Sequence, residues 1–171
     1  MLASDHRIWE HIPVNMGSAS NCITAFNTAL TNLQNETEYP FIIYHKANRK
    51  IIGSSRLMEI SQPNRKLEIG WTWLHPDYWA TAINLDCKLA LLRYCFEVLG
   101  AIRVQLKTDE NNIRSRKAIM KIGAKFEGIL RKDRIRDNGT VRNTAYFSIL
   151  DTEWPDVKFN LTGLLNKEMH E

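Results

Sequence analysis

The sequence predicts a mixed α/β (α+β) domain, and three observations predict it. Short runs with strand-type alternation fill residues 40–73 and recur at 103–108, 125–130 and 144–150. Residues 20–35, 84–99 and 112–122 instead carry apolar side chains at helical spacing. The order is antiparallel strands first, then strand–helix–strand–helix–strand–strand, which builds a mostly antiparallel twisted sheet with flanking helices. A chain of 171 residues fits one domain, taken as residues 1–171.

The elements follow in order. In the first helix Ile23, Phe26, Leu30 and Leu33 share a face. Pro40 to His45 reads as a strand, and the turn Ala47 to Lys50 leads into a second, Ile51 to Ile60, as a hairpin. Ser61-Gln62-Pro63-Asn64 breaks the chain before a third strand, on which Leu67, Ile69, Trp71 and Trp73 take one face and Glu68, Gly70 and Thr72 the other. From Asn84, a reasonable N-cap, the stripe Leu85, Leu89, Leu92, Phe96 and Leu99 marks a helix that Gly100 stops. A strand over Arg103 to Thr108 follows, then a helix from Asn112 through Ile122 closed by Gly123. Two last strands, Lys125 to Leu130 and Thr144 to Leu150, flank the turn Asp137-Asn138-Gly139. The tail after Trp154 has no assigned structure.

Composition narrows the function. The chain is 44% hydrophobic and a quarter charged, with no apolar run near the ~20 residues that span a membrane. Its first residues lack the layout of a signal peptide, and three cysteines without metal-type spacing suit a reduced, cytoplasmic protein. The net charge of +4 is spread along the chain as a solvated surface. The five histidines show no ligand pairing, and no nucleophile elbow or Walker-type loop occurs, so no metal is expected. Aromatic and basic residues are not interleaved as on nucleic-acid surfaces, so neither membrane nor specific nucleic acid is expected as partner.

Several motifs carry the chemistry jointly. They are Glu68-Ile69-Gly70-Trp71, the loop Pro76 to Asn84, Asn112-Ile113-Arg114-Ser115, Lys121 to Gly128, Asp137 to Thr144, and Glu153-Trp154. In this order and spacing, residues 66–154 resemble the GNAT superfamily of N-acetyltransferases, in particular the branch of ribosomal-protein N-terminal (alanine/serine) acetyltransferases. The resemblance implies a GNAT-like sheet with a splayed central strand pair. It also implies acetyl-CoA as co-substrate and direct transfer to a primary amine, either a protein N-terminal α-amine or that of a small molecule. The alternative is a catalytically degenerate acyl-CoA-binding or regulatory domain; a third reading, an RNA-associated module, rests on charge alone.

The resemblance also assigns residues. The pyrophosphate would lie on the turn Trp79-Ala80-Thr81-Ala82-Ile83-Asn84, where backbone N–H groups and the helix dipole favour anions. Ala80 stands where the family has its first glycine and Asp77 where it has Gln or Arg; alanine serves there while φ stays negative. Backbone groups of Trp73 and Leu74 would hold the pantetheine, together with Asn112, and Ser115 would be the proton donor to the thiolate, since Ile119 occupies the usual tyrosine position. Glu68 is the candidate base, because an alkylammonium must lose a proton before it attacks a thioester; Glu127 is held in reserve. Ile8 to Pro13 resembles a region that the family reaches only after an edge strand and a helix, so the usual first strand is expected to be missing. That would leave Phe41 to His45 as a bare edge, open to homodimerisation.

Overall fold

The computed structural model describes residues 5–12 and 17–168. Four helices and six strands follow one another as α1 (Ala19–Gln34), β1 (Tyr39–His45), β2 (Lys50–Ser61), β3 (Lys66–Leu74), α2 (Ala82–Arg93), β4 (Arg103–Asp109), α3 (Ile113–Lys121), β5 (Lys125–Ile135), β6 (Val141–Leu150) and α4 (Trp154–Glu168). The strands form one mixed sheet in the order β1-β2-β3-β4-β6-β5. Every neighbouring pair is antiparallel except β3 and β4. This is the expected mixed α/β fold, and the tail left unassigned after Trp154 is a helix.

The main core lies where α2, α3 and α4 cover one face of the sheet. Leu85, Leu89 and Leu92 of α2 meet Leu67 and Ile69 of β3, Val104 and Leu106 of β4, Phe147 and Ile149 of β6, and Val157 and Leu161 of α4. Phe96 stacks on Trp154 with ring centroids 5.2 Å apart. Thr81 caps α2 by accepting from the Ile83 N–H, so the helix begins before Asn84. It ends in a π-helical turn over Tyr94–Val98, which shifts the phase of the stripe and turns Leu99 outward. Gly100 and Gly123 both stop their helices at positive φ, as their positions in the sequence suggest.

One helix face lies outside the core, and one expectation fails. The face Ile23, Phe26, Leu30 and Leu33 of α1 does not enter the core: Ile23 and Phe26 are each 61% exposed, and only Ala29 of that helix is buried. The alternation along β3 also breaks. Ser54 pairs with Trp73 but Arg56 with Gly70, so Trp71 and Thr72 together oppose Ser55, and Trp71 takes φ +49. This bulge swaps the faces of everything after it. Leu67 and Ile69 face the helices, whereas Trp71 and Trp73 join Ile8 and Trp9 in a separate cluster. Thr72 and Leu74 come round to the helix side instead, where Leu74 packs near Ile83.

Candidate active site

The parallel ladder between β3 and β4 is short. It runs from Lys66↔Arg103 to Glu68↔Gln105 and stops, leaving the rest of both strands apart. A cavity of about 460 Å³ opens along this parting. One wall is β3 from Glu68 to Leu74; another is Leu106 to Thr108 of β4; the ends of α2 and α3 close a third with Ala80, Asn84, Lys88, Asn112 and Ser115. Because the strands have parted, backbone groups on their facing edges have no strand partner here, and a ligand chain can lie between them.

Glu68 stands at the apex of the parting and is only 5% exposed. Its carboxyl folds back over Gly70: a Cβ added to Gly70 would lie 2.6 Å from Glu68 Oε1, so a side chain there would displace the acid. The Lys107 ammonium approaches Oε2 at 2.9 Å, yet it lies off the direction of a hydrogen bond and that oxygen has no donor. Lys107 donates instead to Glu59, which also accepts from Gln105 and lies near Arg134. Burial pushes the Glu68 carboxyl above its usual range, and Lys107 only partly offsets this.

The α3 end presents Asn112 and Ser115. Asn112 caps the helix by accepting from the Ser115 N–H at 3.0 Å, so that carbonyl oxygen is committed locally. The Ser115 hydroxyl makes no hydrogen bond to its own helix and faces the cavity. Ile119, one turn on, is buried.

Of the residues proposed for the coenzyme, Trp73, Leu74, Trp79, Ala80 and Asn84 line the cavity at the α2 end. Thr81, Ala82 and Ile83 do not: Thr81 is spent on the cap, and Ile83 packs into the apolar cluster with Ile43 and Ile52. The Leu74 carbonyl already accepts from Trp79 Nε1 at 2.9 Å. The Arg114 guanidinium carbon lies over the Trp79 ring, 3.4 Å from its centroid, with that of Arg7 at 5.8 Å. Asp77 is no obstacle to phosphates, since its side chain is 76% exposed and turned toward His75. Ala80 is the departure that matters. It sits at φ +59, the left-handed region that suits glycine.

Glu127, the reserve base, is absent from the cavity wall. Arg103 binds it at 2.5 Å and Ser148 also donates to it, which together hold its carboxyl below the usual range. Two residues were missed. Lys88 of α2 is buried, lines the cavity, and donates to Thr72 Oγ1 at 2.5 Å. Its spacing from Leu85 and Leu92 put it on the apolar stripe, a signal present in the sequence. Arg142 is the other, buried and lining the cavity, where it donates to the Thr144 hydroxyl and the His11 carbonyl. Strand alternation gave no hint of it.

A cleft between two parted parallel strands, with two helix starts and a buried carboxyl on its walls, is shaped for an extended ligand. The family model described as the acetyltransferase (GNAT) domain matches residues 1–125, and the chain belongs to that family. It is an acyltransferase. YoaA of Bacillus subtilis, an N-acetyltransferase by name, is 26% identical over 80% of this chain and 76% of its own length. YdaF of the same organism, designated a ribosomal N-acetyltransferase, is 32% identical over 63% of this chain and 58% of its own. A GCN5-related N-acetyltransferase from Brucella melitensis superposes with a TM-score of 0.86 at 27% identity, covering 95% of this chain and 74% of that one. The fold is shared as well by Mycobacterium smegmatis RimJ in complex with CoA-disulfide, with a TM-score of 0.81 at 18% identity over 95% of this chain and 80% of that one.

No described helix is long and apolar enough to cross a membrane. Among the described residues, no cluster of His, Cys, Asp or Glu could hold a metal ion.

Proposed function

We propose that this chain transfers the acetyl group of acetyl-CoA directly to a primary amine, a protein N-terminal α-amine or that of a small molecule, in the cytoplasm. The observation that carries the reading is the parting of β3 and β4 at Glu68, with the starts of α2 and α3 on its walls. The unpartnered strand edges suit an amide-bearing arm, and the first turn of α2 suits a pyrophosphate. Acetyl-CoA supplies an activated thioester carbonyl. The residues of the chain do the rest. Glu68, its pKa raised by burial, accepts the ammonium proton and so frees the amine lone pair. A β3 backbone N–H near the Trp71 bulge meets the carbonyl oxygen, and the unpaired Ser115 hydroxyl donates toward the departing sulfur.

Thiol release from acetyl-CoA, measured over peptide N-termini, polyamines and aminoglycosides, tests this. Release with peptides assigns the α-amine and release with the others a small-molecule acceptor; binding of acetyl-CoA with no release from any amine favours the degenerate reading. Self-association is part of the same proposal. β1 is the outer strand of the sheet, and Ile42 and Tyr44 on it are exposed. A clean monomer in sedimentation at all concentrations removes it.

A further inference from the structure

Lys88 is a costly residue to keep. It is 6% exposed, and an ammonium has three N–H donors to satisfy. Among the described residues its only hydrogen bond is to Thr72 Oγ1, a neutral hydroxyl that itself contacts Ser55 Oγ at 2.7 Å, and it forms no ion pair with them. The ionisable groups around it are Cys87 and Cys95 on its own helical segment and Glu68 on β3. Burial pushes both thiols up, Cys95 to about 12, so neither supplies an anion. A buried cation with one neutral partner is unfavourable unless something else completes it. Its position says what that is: Lys88 lines the cavity on the helix side, beside Thr72.

The chemistry of the cleft leaves one charge unmet. As the amine nitrogen bonds the acetyl carbon, the carbon–sulfur bond breaks and its electron pair goes to sulfur; Glu68, having first passed the ammonium proton to water, takes the second proton that nitrogen sheds as the amide forms. Ser115 cannot neutralise that sulfur. A hydroxyl is about as weak an acid as water and far weaker than a thiol, so it lends a hydrogen bond and keeps its proton. Ile119 offers nothing. We propose that the Lys88 ammonium, anchored by Thr72, is the group that receives the coenzyme sulfur and holds it as a thiolate.

This rests on the acetyl-CoA reading above, and its test separates the two. Coenzyme A is titrated into the full chain, binding is followed by calorimetry, and the ultraviolet absorbance of the bound thiolate is recorded against pH. In the wild type the bound thiol should ionise at least about one pH unit below free coenzyme A. Lys88→Met should return that midpoint to the free value while coenzyme A still binds. Lys88→Arg should keep part of the shift, and turnover of Lys88→Met should fall roughly 10²-fold. A bound thiol that ionises like free coenzyme A in the wild type overturns the inference, whether or not the variant folds. So does an unchanged midpoint in Lys88→Met. Failure of the wild type to bind coenzyme A at all overturns the acetyl-CoA reading, and this one with it.

Discussion

Ala80→Gly should stabilise the protein without improving its grip on the coenzyme. Ala80 holds φ +59 at the end of the turn that leads into α2. A residue with a Cβ is disfavoured in the left-handed region by about 1–2 kcal/mol, and glycine is not. Glycine also loosens the unfolded chain, which takes back about 0.4–1 kcal/mol. Ala80 is exposed, so little packing is lost with its methyl group. The net gain is about 0.5–1 kcal/mol. At roughly 2–4 °C per kcal/mol for a protein of this size, the melting temperature should rise about 1–4 °C. Because the turn has this conformation before the ligand arrives, the relief is equal in free and bound states and cancels from the affinity. Calorimetric titration with coenzyme A should therefore show a Kd within about threefold of the wild type. A lower melting temperature in Ala80→Gly would refute the claim that this turn is strained, and a much tighter Kd would show that the strain is released only on binding.

The other predictions concern Glu68, Ser115 and Lys88, all of which line the cleft. Glu68→Gln should lower kcat/KM about 10²-fold or more and leave coenzyme A affinity nearly unchanged. The wild type should lose activity as pH falls through the raised Glu68 pKa, where the base becomes protonated, and the variant's residual rate should lack that limb; unchanged turnover removes Glu68 from the base role. Ser115→Ala should slow transfer roughly tenfold, because it deletes one neutral hydrogen bond to sulfur, and single-turnover thiol release measures this. Lys88→Met should raise stability. Burial lowers the Lys88 pKa from 10.5 to about 8, so below pH 8 the folded state carries a penalty of roughly 3 kcal/mol. Losing the Thr72 hydrogen bond takes back about 1. Between pH 8 and 10.5 the unfolded chain binds more protons than the folded one, so wild-type stability rises with pH and the variant's advantage shrinks. Urea titrations at pH 7 and pH 10 read both effects.

Much of this architecture was legible in the sequence because local signals agreed with the fold. Gly100 and Gly123 end helices where glycine is needed, and Asn112 both caps α3 and marks the cleft. The misreadings have definite causes. Nothing in Trp71 advertises a left-handed backbone, since tryptophan is an unfavourable residue there, so simple alternation carried Trp71, Trp73 and Thr72 to the wrong faces of β3. Asn84 and Thr81 are both competent caps, and only the geometry of the turn decides for Thr81. The apolar stripe of α1 has the spacing of a core helix but lies outside the core, which no single-chain pattern reveals. Of the candidate site, Glu68 and Ser115 reach one cavity from β3 and α3, whereas Lys88 passed for a surface charge because a lysine usually is one.

The bulge at Trp71 ties these observations together. Without it, Thr72 would project with Glu68 and Gly70 on the face away from α2, and Lys88 would lose its hydrogen bond to Thr72. With it, β3 presents a carboxyl to one face before the bulge and a lysine-bound hydroxyl to the other after it. Both groups line the cavity that opens where β3 parts from β4. They are close enough to feel each other but form no ion pair among the described residues, and the cation against Glu68 is Lys107 at 2.9 Å. That separation is what amine acylation needs, since positive charge must leave the amine on one side as negative charge develops on sulfur at the other. Had Glu68 and Lys88 met directly, the Lys88 ammonium would have been spent on the carboxylate. The strained backbone at Trp71 is thus the local feature that keeps acid and base apart.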